Sequence, residues 1–248
     1  MFNSENLSAE ELAESLHAHK VALFAVATLA ELRESETESH LMRVQNYVRA
    51  LCHKLATRPE YGAVLTAKYI ELLCNSVHVY DLGTVAVPDR ILLKPGRLTD
   101  DELSIMRTHT TLGYEAIVRA EKLLGKPTAR LTIAKELTLS HQEKWNGKGY
   151  PQGLAGTQIP LSARIVALAD VYDALITQKV YKDGMSHDAA VKVIASERGG
   201  HFDPNIADAF LEIQNEFKVI SQRYADTDSD MQQKIEYLAN AIAEHVQL

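Results

Sequence analysis

A chain of 248 residues with 46% apolar and 24% charged side chains can bury a full hydrophobic core and is not a disordered polymer. Its formal net charge of -7, with no long Lys/Arg run, lacks the footprint that a nucleic-acid polymer requires, while a small anionic ligand held through a local metal stays open. Cys52 and Cys74, without Cys-x-x-Cys spacing, supply neither a disulfide framework nor a thiolate zinc site, and read as buried thiols of a reducing compartment.

Residues 1–14 are polar and acidic, without the basic and apolar stretches of a secretory signal, and the apolar segment 21–32 is interrupted by Glu31 and too short to span a bilayer. A cytoplasmic protein with no membrane segment is expected. Residues 8–33 contain neither Gly nor Pro, and Leu12, Leu16, Leu23, Val26 and Leu29 recur at helical spacing. That predicts one long amphipathic N-terminal helix over residues 1–33, with an apolar face suited to pairing with a second copy. A main domain is expected over 34–220 and a C-terminal helical segment over 221–248.

Val44, Tyr47, Val48, Leu51 and Leu55 predict the next helix, and residues 67–79 are helical by propensity, with Gly83 and Pro88 as punctuation. Thr99 and Glu102 form a capping box that starts a helix near Asp100, predicted to run towards Leu124. After a break at 125–127, Thr128 opens another helix to about Ser140. Residues 146–160 hold four glycines and two prolines, too many for a regular element. Ile165, Leu168, Ala169, Tyr172, Leu175 and Ile176 mark one face of a further helix, Ser186 caps the next, and Asp203-Pro204 opens one through Phe217. No alternating run supports a sheet, so the fold class is all-α: a helical bundle with one ordered glycine-rich loop.

Ten histidines are present, and several fall where predicted element ends meet Asp or Glu. Glu36 and His40, four apart, would share one helical face and could present two ligands to one ion. The loop His141-Gln-Glu-Lys-Trp-Asn-Gly-Lys-Gly-Tyr-Pro151 continues through Ala163-Arg-Ile-Val-Ala-Leu-Ala-Asp170-Val-Tyr-Asp173. Together with Glu34-Ser-Glu-Thr, His40, Arg43-Val44, Pro88-Asp-Arg-Ile, His109 and His201-Phe-Asp-Pro204, it resembles the HD-GYP family, bacterial metal-dependent phosphodiesterases that degrade cyclic di-GMP. The resemblance covers roughly residues 24–217 in the family's order.

By that resemblance Asp81 bridges two ions, His40 and Asp170 belong to one, and His109 and His141 to the other. Glu36 stands where some members hold an additional ion. Gly149, Tyr150 and Pro151 would line the substrate groove, with Arg164 either a phosphate contact or an ordinary ion pair. Phosphodiester hydrolysis at neutral pH needs a strong nucleophile and neutralised phosphate charge, and a metal pair supplies both. Imidazoles and carboxylates suit iron, manganese or nickel.

The chain departs from the family pattern at its centre. Tyr80 replaces the His of the His-Asp pair, Gln142 replaces the second His of the His-His pair, and Thr84 replaces a Lys beside the phosphate. Asn146 stands for Asp, and Glu38 for Gly. Tyr80 could ligate only as phenolate, against an ordinary phenol pKa of about 10, and Gln142 offers one neutral oxygen. His78, two positions before Tyr80, falls on nearly the opposite side of a helix. The expectation is therefore one ion or none rather than two. The reading favoured from the residues is a catalytically impaired cyclic-dinucleotide signalling protein that acts as a ligand-binding module or through a signalling protein partner. The alternative is an active phosphodiesterase with a reduced ligand set.

Overall fold

The computed structural model describes residues 38–94, 96–178 and 183–246, together with Ser8, Glu14, Ala25 and Arg33. The N-terminal helix expected over 1–33 and the Glu36 position lie outside the described residues. Among the described residues the architecture is all-α, with isolated bridges at Asn146–Ala155 and Arg198–Phe202 in place of a sheet. No helix among them is long and apolar enough to cross a membrane.

Helix α1 (Glu38–Ala56) runs through the centre. Its apolar side chains recur three and four apart, and Leu41, Val44, Tyr47, Val48, Leu51, Cys52 and Leu55 are all buried, the pattern of a helix covered along a broad stripe. The short α2 (Pro59–Gly62) leads to α3 (Ala67–Ser76), where the Thr66 hydroxyl accepts the Tyr69 N–H and caps the first turn. The predicted helix over 67–79 tightens at its end into a 3-10 turn, Val77–Val79. A second 3-10 segment, Leu82–Ala86, and the single turn α4 (Asp89–Leu92) follow. The Arg33 guanidinium bonds to the carbonyl of Val87 (3.1 Å) and to Val85 and Asp89, tying residue 33 to the far end of that segment.

The capping box at Thr99 and Glu102 is formed in both directions and starts α5 (Asp100–Arg107). The single helix predicted to Leu124 is two: the Thr108 N–H turns to Ile105 and Met106, and α6 (His109–Leu124) restarts at His109. This break carries no Gly or Pro, and it swings the first residue of α6 into the interior. Gly125 closes α6 at φ +77°, a left-handed position that favours glycine. Thr128 caps α7 (Ala129–Ser140), accepting the Leu131 N–H.

The glycine-rich loop leads into α8 (Leu161–Ile176), buried on nearly every side. Ser186 caps α9 (His187–Ser196), and Asp203 caps α10 (Pro204–Arg223), which runs past the predicted Phe217 and is non-helical at Ile213. Helix α11 (Asp228–Val246) follows. Helices α1, α3, α8, α9 and α10 close on one core, in which Tyr47, Tyr172, Phe210 and Phe217 pack ring to ring, Tyr47 stacked on Phe217 at 4.5 Å. Truncating Phe217 to Ala would cost about 3–5 kcal/mol. That core is the floor on which the ends of α1, α6, α7 and the middle of α8 meet.

Candidate metal centre

Asp81 precedes the second 3-10 segment, His109 opens α6 and His141 caps the end of α7. They come together because glycine lets two backbones touch. A Cβ on Gly83 would lie 1.8 Å from the His109 carbonyl oxygen and 2.7 Å from the Gly113 nitrogen, so only glycine lets the Asp81 segment seat against α6. The His109 Nδ1–H donates to the Met106 carbonyl (2.7 Å) and the His141 Nδ1–H to the Leu137 carbonyl (2.8 Å). A carbonyl only accepts, so both rings carry a proton on Nδ1, and Nε2 is the nitrogen left to face Asp81 and an incoming ion.

Those two Nε2 atoms lie 3.4 Å apart, and Asp81 Oδ1 stands 3.4 Å from His109 and 3.0 Å from His141. Ligand atoms of the three residues all fall within 4.8 Å of one another. Burial raises the Asp81 carboxyl, but His141 and His109 outweigh it and hold the group below the ordinary carboxylate range. Burial lowers His109, keeping its imidazole neutral, whereas Asp81 overcomes burial at His141 and raises it. Two pinned imidazoles and an ionised carboxylate, each held from behind, fit a borderline divalent ion.

His40, Tyr80 and Asp170 form a different arrangement alongside, where the Tyr80 ring meets the His141 ring edge-on at 5.1 Å. His40 Nδ1 bonds Asp173 Oδ2 (2.8 Å), and Arg43 grips both Asp173 oxygens at 2.7 and 2.9 Å. Burial raises Asp173, but His40 and Arg43 overcome it and bring its carboxyl down to about 2. His40 is thus aimed as a ligand would be, and its Nε2 meets the Tyr80 hydroxyl at 2.9 Å. That hydroxyl donates to Asp170 Oδ1 at 2.7 Å. Burial, then Asp81, raises the Asp170 carboxyl. The phenol oxygen stands between the two side chains that would hold the second ion and satisfies both, so these residues do not fit an ion as they are placed.

The other expected positions divide. The Tyr150 ring meets His109 edge-on at 6.2 Å. Gly149 lets the loop double back, since a Cβ there would lie 2.3 Å from the Lys144 nitrogen, and Pro151 follows Tyr150 through a cis peptide. Thr84 is buried with its hydroxyl donating back to the Asp81 carbonyl (2.8 Å). Gln142 makes no side-chain hydrogen bond among the described residues, and His78 Nε2 pairs with Gln45 (3.1 Å), away from Asp81. Arg164 bonds Asp203 and the Ile159 carbonyl and lies over Trp145, so of its two sequence readings the ion pair is the contact present.

Residue patterns alone left the roles of four residues unread. Arg43 and Asp173 lie in the motifs that carry the family resemblance, one turn from His40 and Asp170, but nothing in the letters said that they grip each other. Glu143 is buried, with its carboxylate accepting the N–H groups of Gln152, Gly153 and Leu154 at 2.7–3.1 Å, and so shapes the loop. Arg107, whose guanidinium lies 5.1 Å from the Tyr150 ring centre, carried no sequence signal at all.

A family model described as an HD domain matches residues 25–206. Among curated relatives, a "Probable cyclic di-GMP phosphodiesterase" of Vibrio cholerae is 51% identical over 209 residues, which are 84% of this chain and 47% of that protein. A "Cyclic di-GMP phosphodiesterase" of the same organism is 48% identical over 83% of this chain and 42% of its own length. A cyclic di-GMP phosphodiesterase response regulator of Xanthomonas campestris is 36% identical over 82% and 54%. The chain thus spans about half the length of the curated relatives it matches. Among solved structures, an HDG"Y"P protein of Bdellovibrio bacteriovorus aligns with TM-score 0.52 at 19% identity, over 82% of this chain and 64% of that one. A cyclic GMP-AMP specific phosphodiesterase of Vibrio cholerae aligns with TM-score 0.58 at 16% identity, over 92% and 59%. At such identities these structures speak for the fold alone.

Proposed function

Because the chain belongs to the HD domain family, and within it to the HD-GYP branch, we propose that it is a metal-dependent phosphodiesterase of a cyclic dinucleotide, working with a reduced ligand set around one ion. The observation that carries this reading is the convergence of Asp81, His109 and His141 within 4.8 Å beside Tyr150. An ion of iron, manganese or nickel on these three residues would supply a nucleophile at neutral pH and take up charge building on the phosphate. The chain's own part is to keep Asp81 ionised, to hold both Nε2 lone pairs inward through the Met106 and Leu137 carbonyls, and to wall the groove with Gly149, Tyr150 and Pro151. Cyclic di-GMP is the substrate we propose first, after the names of the relatives. A 3'3'-cGAMP phosphodiesterase that is 36% identical makes that dinucleotide the second.

One observation favours a second reading, an impaired module that binds the dinucleotide without cutting it: the Tyr80 hydroxyl fills the place of the other ion. Both readings are tested together. Protein purified without chelators is analysed for metal, then incubated with cyclic di-GMP and Mn²⁺ or Fe²⁺ while the linear dinucleotide is followed by chromatography. One ion per chain and slow turnover, abolished by Asp81→Ala, are expected. Ion-dependent binding without product selects the second reading, and two tightly held ions would mean that Tyr80 or Gln142 ligates after all. The setting we propose is cytoplasmic, in keeping with two buried free thiols that burial pushes up. Pairing with a second copy through residues 1–33, and a signalling protein partner, remain proposals; sedimentation with and without those residues tests the first.

A further inference from the structure

Resting on the reading above, we infer that Arg107 is a phosphate-binding residue of this site, standing in for the cation that Thr84 cannot supply. A cyclic dinucleotide brings two phosphates, each with a negative charge, to a site already holding the ionised carboxylate of Asp81. One divalent ion answers only part of that charge. Thr84, where the family resemblance expects Lys, is buried with its hydroxyl spent on the Asp81 carbonyl, so that segment offers no positive group. Arg164 is committed to Asp203, and Arg43 to Asp173 and Asp226.

Arg107 is placed differently. It ends α5, two residues before His109, and its side chain is exposed. Its guanidinium lies over the Tyr150 ring, which in turn meets the His109 ring edge-on, so a row of Arg107, Tyr150 and His109 runs from solvent to the ligands. Among the described residues no carboxylate lies within ion-pair distance of it. Contact with an aromatic face orients a guanidinium yet leaves its N–H fork open, and that fork matches two phosphate oxygens at once. The break between α5 and α6 at Thr108 is what brings Arg107 to the rim while turning His109 inward.

The test is calorimetric titration of cyclic di-GMP, at several salt concentrations with Mn²⁺ present, into wild type, Arg107→Ala, Arg107→Lys and Arg107→Ala/Thr84→Lys. Arg107→Ala should weaken binding about tenfold and make the affinity less salt-dependent, with bound metal unchanged. Arg107→Lys should recover part of the loss, because a point charge replaces the fork, and the double variant should recover part by returning a cation from the other side. Wild-type affinity and salt dependence in Arg107→Ala would overturn the inference and leave the phosphodiesterase reading standing. A wild-type protein that binds neither cyclic di-GMP nor 3'3'-cGAMP would overturn both.

Discussion

Two halves of one site start from nearly the same parts and end differently. On one side His109, His141 and Asp81 bring two Nε2 atoms and a carboxylate oxygen together, with both Nδ1 hydrogens pointing outward to the carbonyls of Met106 and Leu137. On the other, His40 and Asp170 are held just as firmly, but Tyr80 supplies a hydroxyl that donates to one and meets the other. A hydroxyl carries both a hydrogen and an accepting oxygen, so it can close a ring of bonds that lone pairs alone leave open to a cation. Ligand type does not by itself make an ion site; what matters is whether a neighbour has already satisfied the ligands.

The variant with the largest effect on this contrast is Asp173→Ala, behind the Tyr80 half. It leaves the Arg43 guanidinium buried without its main partner and frees the His40 ring, and should cost about 3–5 kcal/mol in chemical denaturation. Sparing the fold would show that Asp226 and the Tyr224 carbonyl suffice for Arg43. Next comes Asp81→Asn, which removes the charge between the two imidazoles of the open half. Mn²⁺ affinity by competition with a chelating dye should fall by more than about 100-fold, beyond what losing an outer partner of a ligand costs. Equal affinity would mean that the ion sits elsewhere.

Tyr80→Phe tests the closed half directly. Deleting the hydroxyl leaves His40 Nε2 and Asp170 facing each other without their bridge, for a loss of about 1–3 kcal/mol in the metal-free protein. Added Mn²⁺ should then restore more stability to this variant than to wild type; no difference between the two would sink the idea that the hydroxyl excludes an ion.

The smallest effect is a pH dependence on the loop side. His201, stacked on Phe202 at 4.4 Å, has its ring lowered from 6.5 to about 4 by burial and then by Lys144. A lowered histidine must be neutral in the fold, so the unfolded chain binds the extra proton. Its contribution is whole above pH 6.5 and is lost as the pH falls towards 4, and His201→Gln should flatten that slope. An unchanged slope would place the sensitive group elsewhere.

How much of this the letters carried depended on the range of the interaction. The capping box at Thr99 and Glu102, the Thr128 and Ser186 caps and the Asp203-Pro204 start were legible because each is made by residues within three positions of one another. The buried stripe of α1 was legible because its period is local. The break at Thr108 was not, since residues 106–110 hold no Gly or Pro and nothing nearby competes with a continuous helix. The loss of imidazoles at Tyr80 and Gln142 could be read directly, but their different outcomes could not. Tyr80 reaches Asp170 across 90 positions, and Arg43 reaches Asp173 across 130, distances that only the folded chain closes.

Gly83 carries a lesson of another kind. With the His109 carbonyl 1.8 Å from where its Cβ would stand, every other residue at this position must pry the Asp81 segment off α6. Inheritance at the centre therefore runs through a position that bears no functional group. A descendant of this gene could keep the codons for Asp81, His109 and His141 intact and still lose the site through one change at codon 83. Surveys that score such chains by their ligand letters alone would count that descendant as complete.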